Sequence, residues 1–221
     1  MIKYMNLIGI RARKASEYKV TTEVKNKVLN DYAKLIKNEK KFIINQNSKD
    51  INYARKKRLK ENLIKRLHLN ENKLDGIINS ILKIAKLRDP IDSTLEKWKR
   101  PNGLNIKRVS IPIGVIGVIY ESRPNVTSDV ASLCFKSGNV VILKGGSEAI
   151  NSNKALAKLF RKALKKNKVD ENFIQFIDSK QRKLVDIMLS KMKKYNISID
   201  TRKSDVMIAA IKKGASIIND V

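Results

Sequence analysis

A lysine, two glycines, a serine and a glutamate follow one another at residues 144–148, where a predicted buried strand passes into a predicted helix. Paired glycines let the backbone turn sharply and approach a ligand closely, and amides at the beginning of a helix favour an anion. Lys144 and Ser147, which flank Gly145 and Gly146, can reach the same phosphate or ribose edge. Gly-Gly turns before helices are also common in proteins that bind nothing there, so an ordinary turn stays open. Neither a GxGxxG pattern nor a P-loop pattern accompanies this turn.

Two other residues of reactive types, a cysteine and a histidine, each occur once. Cys134 lies in the apolar segment Val130–Phe135, between two predicted strands, where a free cysteine normally behaves as a small hydrophobic residue. No neighbour would lower its pKa, so we predict a buried structural cysteine and not a nucleophile. His68 has no metal-ligating partner nearby, and no metal site is predicted.

The elements around these residues alternate along the chain. The first hundred residues read as helices, most clearly in the apolar stripe formed by Leu74, Ile77, Ile78, Ile81, Leu82 and Ala85. Strands are predicted at 104–109, 113–120, 139–143 and 173–177, the first in a hairpin after a turn at 100–103. Helices are predicted at 126–136, through Leu156–Leu164, and from about Gln181. This alternation indicates an α/β fold with a parallel sheet.

One long segment resembles a known family. Residues 100–149 read RPNGLNIKRVSIPIGVIGVIYESRPNVTSDVASLCFKSGNVVILKGGSEA. This segment is similar to γ-glutamyl phosphate reductase, also called glutamate-5-semialdehyde dehydrogenase, of the aldehyde dehydrogenase superfamily. A looser likeness extends over residues 5–190. The resemblance implies an aldehyde-dehydrogenase-like nucleotide-binding domain and NADPH-dependent reduction of γ-glutamyl phosphate to glutamate semialdehyde. It also implies a thioester on a cysteine that would lie downstream, in a second domain.

The same resemblance assigns roles to individual residues. Asn125 matches the asparagine that donates a hydrogen bond to the developing oxyanion. Lys144 matches the lysine that contacts the adenine ribose. Ser147 stands where NAD-preferring relatives place a glutamate, and a serine does not repel a 2′-phosphate. With Gly145 and Gly146, these residues form the expected cofactor site, and NADPH is the expected cofactor.

The last residues resemble a different family. Residues 196–221 read NISIDTRKSDVMIAAIKKGASIINDV and are similar to part of dihydropteroate synthase, a TIM-barrel enzyme. The matching residues are Ser198, Asp200, Thr201, Val206, Gly214, Ala215, Asn219 and Asp220. The resemblance implies that Asp200 and Asn219 correspond to pterin ligands at the ends of successive strands. A diverged strand-helix-strand unit of the reductase is the alternative, and one such unit cannot close a barrel.

The composition bears on whether the protein binds nucleic acid or spans a membrane. Lys and Arg outnumber Asp and Glu by 48 to 21, for a net charge of +27. The lysines are spread over nearly every segment, together with many Asn and Ile residues, as expected from an AT-rich genome. Few aromatic residues accompany them, so a nucleic-acid partner is not expected. The longest apolar run, Ile111–Tyr120, is too short for a membrane span of about 20 residues.

These observations combine into one expected organisation. We expect a helical region over residues 1–97, an incomplete NADP-binding α/β domain with a leading hairpin over 98–190, and a foreign or diverged tail over 191–221. No secretory signal is visible and one cysteine forms no internal disulfide, so a cytoplasmic location is expected. The main hypothesis is a truncated γ-glutamyl phosphate reductase, inactive alone. The alternative is a noncatalytic nucleotide-binding or assembly half of a split enzyme, and a homo-oligomer stays open.

Overall fold

The structure, a computed structural model, describes residues 1–121, 123–181, 183–191, 197–200, 204–212 and 214–219. Within these ranges the side chains of residues 190, 191, 200, 206 and 219 are not described. The chain divides into two compact units. One comprises residues 6–180, and the other comprises residues 1–5 with 181–221.

The first part of the chain is helical, as predicted. Its helices are α1 (Ile2–Ala15), α2 (Thr22–Asn38), α3 (Lys40–Lys56), α4 (Glu61–Leu67) and α5 (Glu71–Lys86). Helix α5 begins where Asn70 accepts a hydrogen bond from the backbone amide of Lys73 at 2.9 Å. Its predicted apolar stripe is confirmed, because Leu74, Ile77 and Ile81 are buried in the core.

A parallel sheet follows and confirms the predicted fold class. Strands β3 (Val115–Ile119), β4 (Val140–Lys144) and β5 (Ile174–Phe176) pair in the order β3-β4-β5. They alternate with α6 (Pro124–Lys136) and α7 (Ile150–Lys166), and a short 3-10 turn at Ser147–Ala149 precedes α7. Helix α6 begins two residues earlier than predicted, because Pro124 occupies its first turn, where a missing N–H costs nothing.

The hairpin also forms, and it lies outside the core. Strands β1 (Thr94–Lys99) and β2 (Asn105–Val109) pair antiparallel, with a register shift between Thr94 and Glu96. Every residue of β1 is exposed, and so is every residue of β2 except Ile106, which is half-buried.

The core of residues 6–180 packs the sheet against helices from both halves of this unit. Tyr32 from α2, Phe135 from α6, Phe160 from α7 and Phe173 before β5 are fully buried. The Tyr32 and Phe160 rings lie 4.4 Å apart, and Phe135 contacts the other two phenylalanines edge-on. The helical region and the sheet therefore share one hydrophobic core.

The last part of the chain contains α8 (Lys183–Lys191), β6 (Ser198–Asp200), α9 (Ser204–Lys212) and β7 (Ile217–Asn219). Strands β6 and β7 pair in parallel, as the strand-helix-strand prediction requires. Large apolar side chains remain exposed here, including Ile208, Ile211 and Ile217. Across the described ranges, no helix is long and apolar enough to cross a membrane.

Candidate functional site

The predicted turn lies at the carboxyl end of the middle strand of the sheet. Ile119 pairs with Lys144, and the amide of Tyr120 donates to the Lys144 carbonyl at 3.1 Å. The end of β3 and the end of β4 therefore meet at the same edge. In open α/β sheets, ligands bind beyond the carboxyl ends of the strands. The turn at residues 144–148 and the segment after β3 are placed together at that edge.

Lys144 is almost fully buried, with 5% of its surface exposed. Its ammonium donates to the carbonyl of Gly145 at 3.0 Å. Burial lowers the pKa of Lys144 below its ordinary value, and the charge of Glu148 partly opposes this. A buried ammonium facing one carbonyl retains two further hydrogens for an anionic ligand.

Gly145 is required by close packing and not by an unusual backbone angle. Positive φ values among the described glycines occur at four other positions, 103, 114, 138 and 214. A Cβ on Gly145 would instead collide with the side-chain amide of Asn153 and lie 3.1 Å from the Tyr120 ring. Gly146 adopts φ −58° and ψ 152°, which any residue can adopt. From the sequence, glycines are expected here because they allow a sharp turn and close approach to a ligand. In the structure, Gly145 is required because Asn153 and Tyr120 leave no room for a side chain.

A buried polar chain lies directly behind Gly145. Thr127 donates to Asn153 Oδ1 at 2.9 Å, so its single hydrogen is used, and the Tyr120 hydroxyl donates to Thr127 at 2.7 Å. Burial raises the pKa of Tyr120 to about 12, which keeps its phenol protonated. Within the described structure, Asn153 Nδ2 has no hydrogen-bond partner. These hydrogen bonds connect the residue after β3 with α6 and α7 beneath the turn.

Ser147 does not stand free beside the lysine. Its hydroxyl donates to Glu148 Oε1 at 2.8 Å. From the sequence we expect no repulsion of a 2′-phosphate, because residue 147 is a serine and not a glutamate. The neighbouring Glu148 nevertheless brings a carboxylate into the same turn. A ligand phosphate must therefore either displace that carboxylate or bind on the side of the turn facing Lys144.

The beginning of α7 is already occupied by a carboxylate of the protein. Asp50, from α3, accepts hydrogen bonds from the backbone amides of Asn151 at 3.1 Å and Ser152 at 2.8 Å. Amides at a helix N-terminus otherwise attract anionic ligands. Sequence reasoning missed Asp50, because its partners lie a hundred residues away and no local motif marks it.

Asn125 lies in the first turn of α6 and is exposed to solvent. The resemblance placed it on the loop after β3, whereas Pro124 draws it into the helix. Its side-chain amide donates to Asp129 at 3.3 Å, and Asp129 also accepts from Ser80 at 2.9 Å. The proposed oxyanion contact would require this side chain to turn away from Asp129.

Comparisons with known proteins agree with the family resemblance. The chain is 38% identical over 215 residues to the γ-glutamyl phosphate reductase of Persephonella marina, covering 96% of this chain and 48% of that protein. The crystal structure of γ-glutamyl phosphate reductase from Thermotoga maritima matches with a TM-score of 0.86 at 36% identity, covering 96% of this chain and 51% of that one. The chain matches the N-terminal part of γ-glutamyl phosphate reductases. It spans about half the length of the relatives it matches.

Less similar solved structures share the fold of this chain. An acetylating aldehyde dehydrogenase from Geobacillus thermoglucosidasius matches with a TM-score of 0.65 at 14% identity, covering 98% of this chain and 45% of that one. At that identity the match shows the fold alone. It confirms an aldehyde-dehydrogenase-like arrangement of the helices and the parallel sheet, truncated relative to those proteins.

The last residues of the chain match two different families. The family model described as pterin binding enzyme matches residues 178–221, while the reductase relatives extend into the same residues. Asp200 and Asn219 are paired in register at the carboxyl ends of β6 and β7. Thr201 and Asp220 lie outside the described residues. The backbone thus places the two predicted pterin-ligand positions side by side, while their role stays a prediction.

The buried position predicted for Cys134 is confirmed. Cys134 is 8% exposed, and burial raises its pKa to about 11. It is therefore a protonated, buried thiol at neutral pH. His68 is exposed at the end of α4. No cluster of potential metal ligands occurs among the described residues.

Proposed function

We propose that this chain is the nucleotide-binding part of a γ-glutamyl phosphate reductase, which reduces γ-glutamyl phosphate to glutamate 5-semialdehyde and releases phosphate. The observation that supports it most is the turn at residues 144–148, placed at the carboxyl end of the central strand of a reductase-like sheet. The cytoplasmic location expected from the sequence accords with this biosynthetic activity.

The donors of the turn suit the adenosine end of a nicotinamide cofactor. Lys144 supplies an ammonium and Ser147 a hydroxyl, and hydrogen bonds from charged donors to phosphate are the stronger kind. These residues would hold the adenine ribose and its 2′-phosphate. NADPH, when bound, supplies the hydride that the reduction consumes.

The role proposed for Asn125 is to donate its side-chain amide to the oxyanion of the reacting acyl group. Its exposure on the first turn of α6, close to the end of β3, supports this role. A donor of this kind contributes about 3 kcal/mol to transition-state stabilisation when it is preorganised, and Asn125 must first release its hydrogen bond to Asp129.

The cofactor proposal is tested by calorimetric titration of the chain with 2′,5′-ADP and with 5′-AMP. Lys144 should favour 2′,5′-ADP by about 1 to 2 kcal/mol, as expected for hydrogen bonds to charged groups. Lys144→Ala should remove most of that preference, and Ser147→Glu should reverse it by placing a carboxylate against the phosphate. Lys162→Ala, which removes an exposed lysine of α7 more than three turns from the 3-10 turn, is the matched control. Equal binding of the two ligands by all four proteins would exclude the proposed role of the turn.

Glu148 supports a second candidate, a preference for the unphosphorylated cofactor. Its carboxylate already bonds the Ser147 hydroxyl and can equally accept from ribose hydroxyls. In that case 5′-AMP binds more tightly than 2′,5′-ADP to the wild-type chain. Glu148→Gln should then shift the preference toward 2′,5′-ADP.

A further inference from the structure

Helix α7 receives its N-terminal capping from a distant aspartate. Ala149, the residue before α7, makes no side-chain capping bond. Asp50 takes its place: Oδ1 accepts from the backbone and side-chain amides of Asn151 at 3.1 and 2.8 Å, and Oδ2 accepts from the backbone amide and hydroxyl of Ser152 at 2.8 and 2.6 Å. Asp50 is 1% exposed. A carboxylate here satisfies amides that the helix leaves unpaired and interacts favourably with the helix dipole.

Asn47, one turn earlier on α3, strengthens the same junction. Its amide donates to the Leu67 carbonyl at 2.9 Å and to the Ser152 hydroxyl at 3.0 Å, and its Oδ1 accepts from the amide of Leu69 at 2.8 Å. Asn47 is 2% exposed. Because buried polar groups are costly when unpaired, this network allows few other positions for the beginning of α7.

The 3-10 turn before α7 also makes an apolar contact with α3. Ala149 is fully buried in a cluster with Ile51 and Ala54 of α3. Ala149 is the last residue of the turn that begins at Ser147. The candidate ligand-binding residues are therefore joined through three residues of backbone to a helix of the N-terminal region.

The opposite end of α7 is held in a comparable way. Asp31, from α2, accepts from Lys166 Nζ at 2.9 Å and from Asn167 Nδ2 at 2.9 Å. It is 7% exposed. Two buried aspartates of the helical region thus bind the two ends of one helix, and only one of them lies near the ligand turn.

We propose that Asp50 is a positioning residue for nucleotide binding. Through the first turn of α7, it fixes where Lys144–Ser147 present their donors, although it does not itself face the ligand. The ligand part of this inference rests on the proposed function. Asp31 holds α7 without controlling the turn, which makes it the matched control.

Hydrogen exchange in the chain separates positioning from general stability. Asp50→Ala should speed exchange of amides in residues 145–153 about tenfold, the effect of losing a charge-assisted hydrogen bond. Asp31→Ala should speed exchange near residues 163–167 and leave 145–153 within about twofold of wild type. Asp50→Asn keeps one acceptor for Asn151 and should recover part of the protection; it also serves if Asp50→Ala does not fold. Wild-type exchange at 145–153 in Asp50→Asn and Asp50→Ala, or equal acceleration there by Asp31→Ala, would overturn the proposal.

Ligand titration measures the affinities for 2′,5′-ADP and 5′-AMP, which a loss of stability alone does not change. Asp50→Ala should weaken the binding of 2′,5′-ADP and of 5′-AMP alike, by about tenfold, whereas Lys144→Ala should weaken 2′,5′-ADP more than 5′-AMP. Asp31→Ala should leave both affinities unchanged. If the wild-type chain binds neither ligand, the proposed function fails, and the exchange measurements alone decide whether Asp50 positions the turn.

Discussion

At the level of single residues, the tightest packing in the candidate site occurs at Gly145. The Asn153 amide and the Tyr120 ring occupy the space that a side chain would need. Gly145→Ala should lower the free energy of unfolding by about 1 to 3 kcal/mol, as overpacking does, and should weaken nucleotide binding. Gly76→Ala, at an exposed position of α5 with open space around it, should raise the free energy of unfolding by about 0.5 to 1 kcal/mol. Urea unfolding of both variants measures this; an unchanged Gly145→Ala protein would contradict the packing described.

Cys134 offers a second test at this scale, through pH. Its pKa is raised from 9.0 to about 11 by burial, so the folded protein holds the thiol proton over a pH range in which the unfolded chain loses it. Its contribution to stability is therefore complete below pH 9 and declines as the pH rises toward 11. Cys134→Ser should therefore lose less free energy of unfolding than the wild type between pH 9 and 11, by an amount on the order of 2 kcal/mol. Unfolding measured with both proteins across this range would show parallel curves if the thiol were exposed.

The residues that sequence reasoning could find are those whose signal is local. The turn and the buried thiol were predictable, because the strands and helices that surround Lys144, Gly145 and Cys134 are close to them in the sequence. Asp50 and Asn47 could not be found in this way, since each reads as an ordinary polar residue of a helix. Their partners at Leu67–Leu69 and Asn151–Ser152 are brought near only by tertiary packing.

At the level of elements, periodicity predicted helix and strand types correctly and their ends less well. The stripe on α5 and the runs at β3 and β4 are long enough to reveal burial on one or both faces. Their ends depend on single contacts, as at Pro124 in α6, which a periodic pattern does not contain. The apolar run at residues 113–120 is typical of a central strand, yet in the described sheet β3 pairs only with β4. Its residues are half-buried or exposed, whereas β4, between two neighbours, is almost wholly buried.

The exposed hairpin leads to a prediction about association. An isolated two-stranded hairpin is marginally stable, and Leu95, Trp98 and Leu104 expose 60%, 42% and 57% of their surface. We expect association that grows with protein concentration and shifts the fluorescence of Trp98, the only tryptophan, to shorter wavelength. Leu95→Lys with Leu104→Lys should prevent both effects.

The control for this experiment adds the same charge elsewhere. Leu63 and Leu87 are exposed outside the hairpin, so Leu63→Lys with Leu87→Lys matches the added repulsion. Sizing at moderate salt, where the net charge of +27 is screened, follows all three proteins. Association lost equally in both double variants would point to charge and not to the hairpin.

At the level of the whole molecule, the helical region and the sheet depend on each other. Asp31 and Asp50 hold the ends of α7, while Tyr32 packs on Phe160 and shares a 2.7 Å hydrogen bond with Ser128. The turn at residues 144–148 therefore belongs to one compact unit that includes helices of the N-terminal region. Its geometry is determined partly by α2 and α3, so cofactor binding should be lost when the helical region is removed.

The last prediction concerns activity, because the chain spans about half the length of its reductase relatives. Acyl transfer from γ-glutamyl phosphate needs a thiolate, and Cys134 is buried with its pKa raised to about 11. At pH 7 only about one thiol in ten thousand would be ionised, and that one faces the core. We expect the purified 221-residue chain to show no NADPH-dependent reduction of γ-glutamyl phosphate and no semialdehyde oxidation above background. The full-length Persephonella marina relative is the positive control, and Cys134→Ser should match the wild-type chain. Activity that disappears in Cys134→Ser would make this cysteine the nucleophile. Activity that appears only when the C-terminal half of the relative is added would instead identify the chain as one half of a split enzyme.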